Sequence, residues 1–169
     1  METLWAPWRH SYLRKIVSKG ENGDCFLCRG WAQRGKDREN LVLLRGRTCF
    51  VILNRYPYNT GHLMIAPRNH TGEFPDLSRA ETAEMMALAQ RMTVVLGRVQ
   101  RAHGCNIGLN LGRAAGAGVP GHLHLHIVPR WIGDTNFMPV VGKTKVMSQS
   151  LDDVYRKLKA GLRTAGRKQ

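Results

Sequence analysis

The chain has 169 residues, 43% of them apolar and 22% charged, which is enough hydrophobic surface for one folded domain and excludes a disordered chain. Lys and Arg total 26 against 12 Asp and Glu, so the formal charge is +14 and the surface attracts anions: nucleotides, nucleic acid or acidic lipid. No run approaches the roughly 20 apolar residues of a membrane span, and Met1-Glu2-Thr3-Leu4-Trp5 lacks the basic-then-apolar order of a secretory signal, so a cytoplasmic protein with no membrane partner is expected.

Residues 1–40 read as an irregular, aromatic and basic arm with one short helix around Cys25 to Gln33. Trp5, Trp8 and Trp31 read as packing beneath that arm. Leu41–Leu44 and Thr48–Leu53 are short apolar runs joined by Arg45-Gly46-Arg47, the pattern of two strands and a turn. Asn54 to Gly61 is a loop by its Pro, Gly and Asn content, and His62–Ala66 is a third strand ended by Pro67. Ser78 with Glu81 forms a capping box. From there to His103 the apolar residues Met85, Leu88, Ala89, Met92, Val95, Leu96 and Val99 make one helical stripe of core character, stopped by Gly104.

Asn106–Leu111 is a fourth strand, Arg113–Gly121 a small-residue loop, and His122–Val128 a fifth strand closed by Pro129. Ser150 and Asp153 cap a last helix on which Leu151, Val154, Tyr155, Leu158 and Leu162 share a face. Strands joined by short turns, with helices between them, predict an α+β domain: an antiparallel sheet of about five strands, one long helix and one C-terminal helix. The basic run Lys157, Lys159, Arg163, Arg167 and Lys168 reads as a solvated end.

The most informative segment is Gly121-His122-Leu123-His124-Leu125-His126-Ile127-Val128. On a strand, alternate residues share a face, so three imidazoles would line up roughly 6–7 Å apart, with Leu123, Leu125 and Ile127 opposite. Three polar rings in strict alternation are hard to account for by packing, because each needs a partner if buried. They could bind metal or work on a phosphate. One ion held by all three is disfavoured, since the outer rings of a flat strand would lie about 13 Å apart. The preceding loop, Asn110 to Pro120, carries Gly116, Ala117 and Gly118, whose small side chains let backbone N–H groups approach an anion.

Four cysteines are too few for a disulfide scaffold. Cys49 and Cys105 stand singly among apolar residues and read as core. Cys25 and Cys28 form a C-x-x-C pair that reads as metal or redox chemistry in a reducing compartment. His10 and His103 read as ordinary surface or helix-end residues.

His122-Leu123-His124-Leu125-His126-Ile127-Val128 resembles the motif of the histidine triad (HIT) family. Leu53-Asn54, Pro57-Tyr58-Asn59-Thr60-Gly61-His62, Leu109-Asn110-Leu111-Gly112-Arg113 and Pro129-Arg130-Trp131 extend the likeness across Cys25 to Trp131. Leu4-Trp5-Ala6-Pro7-Trp8-Arg9 is similar to bacterial members of the fragile-histidine-triad and dinucleoside polyphosphate phosphorylase branch. The resemblance implies a single HIT domain over 1–169: an arm (1–40), the core (41–131) and a helical C-terminal segment (132–169). It implies a nucleotide-binding enzyme that cleaves dinucleoside polyphosphates, such as diadenosine tri- or tetraphosphate, by phosphorolysis or hydrolysis.

In that reading His124 is the nucleophile that forms a nucleotidyl-histidine, His126 a donor to the α-phosphate and His122 the first triad histidine. His62 contacts phosphate and Asn54 the ribose. Phe50, Ile52 and Leu53 line the base pocket; Asn110, Gly116, Ala117, Gly118 and Val119 cradle phosphates. Zinc-bearing members imply a structural Zn²⁺ held by Cys25, Cys28, His70 and His122, with no organic cofactor, and a homodimer is also implied. Hydrolases of the fragile-triad type lack the cysteine pair and carry a Gln in the phosphate loop, so this chain's Cys25, Cys28 and Gly116-Ala117-Gly118 point toward phosphorolysis. The alternatives are an adenosine phosphoramidate hydrolase and a basic, zinc-containing nucleic-acid-binding module. The nucleic-acid module is not favoured, because no known recognition motif is present.

Overall fold

The computed structural model describes residues 25–135, 141 and 147–165. The expectations for Trp5, Trp8, His10, Arg167 and Lys168, and for most of the arm, lie outside them. The elements run α1 (Phe26–Ala32), β1 (Val42–Arg45), β2 (Cys49–Leu53), β3 (Leu63–Pro67), α2 (Arg79–Gln100), β4 (Gly104–Leu109), β5 (Leu125–Arg130) and α3 (Leu151–Ala165). The strands form one sheet in the order β1-β2-β3-β5-β4, with every neighbouring pair antiparallel.

β2 and β3 lie centrally and are buried along their whole length, which is why they read as continuous apolar runs rather than alternating ones. Side chains paired across strands share a face. The Sγ of Cys49 lies 3.5 Å from the carbonyl oxygen of Glu81, so Cys49, Val51 and Leu53 face α2. Phe50 and Ile52 face the other way, and Ile52, Met64 and His126 form one cross-strand row there. Trp31 of α1 covers that second face at the β2 end, its ring centroid 5.6 Å from Phe50. Arg45 holds α1 in place by donating to the carbonyls of Gly30 and Trp31 (2.7 and 2.6 Å) while pairing with Asp37.

The capping box of α2 is made: Glu81 N–H donates to Ser78 Oγ (3.2 Å) and Ser78 N–H to Glu81 Oε2 (2.9 Å). The apolar stripe is buried against the sheet. The helix ends at Gln100, short of the expected His103, because Arg101 takes a left-handed conformation (φ 52°) and Ala102 N–H turns back to the Leu96 carbonyl. Gly104 therefore opens β4 rather than closing the helix, and pairs with Arg130. α3 packs Val154, Tyr155, Leu158 and Leu162 inward. It ties to β1 through Tyr155 Oη to the Val42 carbonyl (3.1 Å) and Lys159 Nζ to the Leu43 carbonyl (2.8 Å).

The fifth strand begins at Leu125, not His122. Leu123 N–H donates to the Thr71 carbonyl (2.7 Å) and His122 N–H to the Val119 carbonyl (3.3 Å), which takes both groups off the sheet ladder. Residues 70–72 and 119–123 run so close that a Cβ on Gly72 would overlap the Pro120 carbonyl oxygen. The three histidines are therefore not an evenly spaced row on one flat strand. His124 and His126 ring centroids are 4.7 Å apart, and His122 is turned toward α1.

Glu84 of α2 reaches over the β1–β2 turn and accepts hydrogen bonds from the N–H groups of Arg47, Thr48 and Cys49 and from Thr48 Oγ1, at 2.5–2.9 Å. A Cβ on Gly46 would meet its Oε1 at 2.5 Å, so the turn needs glycine there. Burial alone would raise the Glu84 carboxyl, but these donors outweigh it and pull it down to about 2. Its stabilisation is complete above the ordinary glutamate value and is lost as pH falls toward about 2. Glu84→Ala should cost about 2–3 kcal/mol near neutral pH, and urea melts of the two proteins should converge at strongly acid pH.

Candidate active site and metal cluster

Three imidazoles, His62, His124 and His126, meet where β3 and β5 begin. Tyr58 N–H donates to His62 Nδ1 (3.1 Å), so that nitrogen carries the lone pair. Asn54 Nδ2 donates to the same nitrogen (3.3 Å), its amide oriented by Tyr56 N–H on its Oδ1 (2.9 Å). His62 must then hold its proton on Nε2, which donates to His126 Nδ1 (2.9 Å). His126 in turn carries its proton on Nε2 and presents a donor.

His124 is set the opposite way. Its Nδ1 lies 2.8 Å from the His122 carbonyl oxygen, so Nδ1 is protonated and Nε2 keeps the lone pair. Burial lowers the His124 pKa, against the pull of that carbonyl, so the ring is neutral at neutral pH. The arrangement sets a neutral nucleophilic nitrogen beside a ring that donates a hydrogen bond.

His122 belongs to a second cluster. Its Nε2 donates to the Pro67 carbonyl (2.9 Å), which leaves the Nδ1 lone pair facing Cys25 Sγ (3.3 Å) and Cys28 Sγ (3.4 Å). His70 Nδ1 lies 3.2 Å from Cys28 Sγ. The four ligand atoms lie within 4.8 Å of one another. Bonds of about 2.0–2.3 Å would put tetrahedral ligand atoms roughly 3.3–3.8 Å apart, so the set fits a closed Cys₂His₂ metal site. Burial, reinforced by the neighbouring His70 and His124 and opposed by the Pro67 carbonyl, holds the His122 ring down at about 4, in the neutral form a ligand needs. Burial and the neighbouring Cys25 push the Cys28 thiol up to about 11, a charge repulsion that a divalent cation reverses. The two clusters touch through one bond: the carbonyl that orients His124 belongs to His122.

Asn54 is 7% exposed and directly joined to His62. Ile52 shares the cross-strand row of His126. Phe50 lies on the same face under Trp31, whereas Leu53 faces the α2 side in register with Leu63 and Ile127. A base-pocket role for the Leu53 side chain therefore does not fit its placement, because strand alternation turns it into the helix-covered core. Asn110 follows β4 directly. In the loop, Gly116 adopts φ +84°, Ala117 is buried and N–H groups 116 and 117 close one turn on Arg113 and Gly112. Gly118 and Val119 lead from that turn into the segment bearing His122.

A family model for the HIT domain matches residues 36–131. The chain belongs to the histidine triad family. This HIT chain is 42% identical over 161 residues to the AP-4-A phosphorylase of Mycobacterium tuberculosis, covering 94% of its own length and 83% of the relative's. Among solved structures, a Zn-bound histidine triad family protein from Mycobacterium smegmatis superposes with a TM-score of 0.70 at 25% identity, covering 86% of this chain and 98% of that one. The diadenosine triphosphate hydrolase of Plasmodium falciparum shares the fold, with a TM-score of 0.60 at 20% identity over 76% of this chain and 78% of that one.

Several groups that organise this HIT site carry no side-chain signature. The Tyr58 N–H and the Pro67 and His122 carbonyls act through the backbone. Asn59 and Asp134, which brace the loop before His62, could have been suspected only from the polar pair in the Pro57–His62 turn and the Gly133-Asp134 step after β5. His103, beyond the end of α2, accepts from Ile132 N–H (3.0 Å) and donates its own N–H to the Arg130 carbonyl (2.9 Å). No helix among the described residues is long and apolar enough to cross a membrane.

Proposed function

We propose that this HIT protein cleaves dinucleoside polyphosphates by phosphorolysis through a nucleotidyl-His124 intermediate. The observation that carries the reading is the tautomer pattern: a neutral His124 with its Nε2 lone pair available, next to a His126 committed to donating. The His124 Nε2 lone pair attacks the α-phosphorus, and the bond to the bridging oxygen breaks with its electron pair leaving on the departing nucleotide. His126 donates to the α-phosphate oxygens as charge develops. An oxygen of inorganic phosphate then attacks the same phosphorus, the P–N bond breaks, and the pair returns to His124. The 42% identity to an AP-4-A phosphorylase favours phosphate over water as the second nucleophile.

In this reading Asn54 holds the ribose, and His62 sets the tautomer of His126. Phe50 and Ile52 border the base, and the loop residues Asn110 and Gly116 to Val119 border the remaining phosphates. A structural Zn²⁺ on Cys25, Cys28, His70 and His122 fastens the arm to the His122 carbonyl; the donor set and the Zn-bound relative support this. Pairing of two copies through β4 is supported by that strand's place at the sheet edge and by Ile107 and Leu111, 45% and 47% exposed. A cytoplasmic location fits reduced thiols in the metal cluster.

Incubation with diadenosine tetraphosphate, with and without inorganic phosphate, tests the reaction class. ADP and ATP forming only with phosphate is the expected result; AMP and ATP forming without it would mean hydrolysis. Gly108 lies across from His126 on the site face, with nothing within 4 Å of where a Cβ would be. Gly108→Leu should therefore fold normally but raise the KM for the dinucleotide by about tenfold or more, since about 1.4 kcal/mol of lost binding is a factor of ten. Steady-state kinetics beside a thermal melt would check it.

A further inference from the structure

We infer that Asp134 and Asn59 form a clamp that sets the proton positions of the catalytic histidines, making Asp134 a positioning residue for the reaction. The inference rests on the proposed function for its meaning and on the hydrogen-bond network for its geometry.

The network runs through two loops. Asp134 follows β5 and is largely buried; its Oδ2 accepts from Asn59 Nδ2 (2.9 Å), Trp131 N–H (3.1 Å) and Arg130 Nε (2.7 Å). Its Oδ1 accepts from Arg130 Nη2 (2.7 Å) and Thr135 Oγ1 (3.2 Å). Asn59 is fully committed. Its Nδ2 also donates to the Pro129 carbonyl (3.0 Å), its Oδ1 accepts from Thr60 N–H (3.2 Å) and its carbonyl accepts from His62 N–H (3.1 Å). Asn59 therefore pins the loop before β3 to the end of β5 at the residue next to Tyr58.

Tyr58 contributes the shorter of the two donors on His62 Nδ1, its N–H at 3.1 Å beside Asn54 Nδ2 at 3.3 Å, and the Asn54 amide is itself oriented by the N–H of Tyr56 in the same loop. A neutral imidazole has two tautomers of similar energy, and a neighbouring donor or acceptor chooses between them. With the Tyr58 N–H in place, the proton sits on His62 Nε2 and the His62–His126 bond is directed toward His126. If the loop swings away, the Tyr58 N–H leaves His62 and the Tyr56 N–H that orients the Asn54 amide leaves with it, so His62 can protonate Nδ1 and present a lone pair to His126. His126 must then turn its own N–H inward, and the donor meant for the α-phosphate is lost. Asp134 thus acts on the substrate through Asn59, Tyr58, His62 and His126, without touching it.

Asp134→Ala tests this with two readouts. Imidazole nitrogen chemical shifts report tautomers directly and need no substrate. Wild-type protein should show His62 as a single Nε2–H tautomer and the variant a mixture. Turnover of diadenosine tetraphosphate should fall by about tenfold to a hundredfold, with KM changed by less than about twofold, because the lost donor acts in the transition state. Asp134→Asn still offers an oxygen to Asn59 Nδ2 and should restore the single tautomer and most of the turnover. Asn59→Ala, which leaves the Arg130–Asp134 pair intact, should reproduce the defect if Asp134→Ala fails to fold. Arg130→Gln removes the ion pair but not the Asn59 contact; it should lower the melting temperature and keep the tautomer. A single unchanged His62 tautomer in folded Asp134→Ala and Asn59→Ala would overturn the clamp. So would Arg130→Gln mixing the tautomers as strongly as Asp134→Ala. Absence of any dinucleotide cleavage by wild-type protein would instead count against the proposed function and leave the tautomer result standing.

Discussion

Replacing His124 by alanine should remove nucleotidyl transfer almost entirely, with turnover down by about 10⁴-fold or more. Binding of a dinucleotide should change by only a few fold. The contrast follows from where His124 sits. It is buried, held neutral, and fixed by one hydrogen bond from Nδ1 to the His122 carbonyl, so its remaining nitrogen serves the chemistry rather than the grip. In the proposed reading, Asn54, the 112–119 loop and the β2 face supply the grip. His126→Ala should cost less, about 10²- to 10³-fold, because it removes one donor to the developing charge and leaves the nucleophile in place. Single-turnover kinetics and calorimetry on the same preparations separate the two effects. Equal losses of binding and turnover in His124→Ala would show that the ring holds substrate rather than attacks it.

Opening the Cys25–Cys28–His70–His122 cluster should be the second large effect. Cys28→Ala removes one ligand and leaves Cys25 and the two histidines with an incomplete set. Structural Zn²⁺ in small domains is worth about 10 kcal/mol in apparent binding energy, all of it available only to the folded state. Loss of the metal should lower the melting temperature by well over about 10 °C. Activity should fall even below the melting temperature, because the cluster holds His122, and the His122 carbonyl holds His124. Outer groups that orient a functional ligand are worth about 10- to 100-fold. Metal analysis, melting curves and rates measured together before and after chelation would check this, with zinc re-addition as the rescue. Full activity in a metal-free, folded protein would show that the two clusters are uncoupled.

Much of the site could be read from the residues. The Ser78–Glu81 cap, the Met85-to-Val99 stripe and the antiparallel sheet follow from local chemistry that tertiary packing reinforces. Cys25, Cys28, His70 and His122, which the family resemblance groups together, lie close enough in space to hold a metal ion. What could not be read is what tertiary contacts impose. His122 and His124 leave the strand because Leu123 N–H is taken by Thr71, a residue more than fifty positions away. α2 ends at Gln100 because Arg101, a non-glycine residue, takes the left-handed conformation that sequence rules assign to Gly104. Glu84 resembles any charged residue on a helix face until the β1–β2 turn folds beneath it. The donor and acceptor roles of the histidines rest on backbone groups of Tyr58, Pro67 and His122, and side-chain identity does not encode those.

A covalent nucleotidyl-histidine on His124 is the step on which the proposed reaction turns. Rapid mixing of the protein with diadenosine tetraphosphate in the absence of phosphate, followed by quenching and intact mass spectrometry, tests it most directly. A mass gain of one adenylyl group is expected, located on the peptide containing His124, discharged by adding inorganic phosphate and absent in His124→Ala. Turnover without any adduct, or an adduct on a different residue, would contradict it.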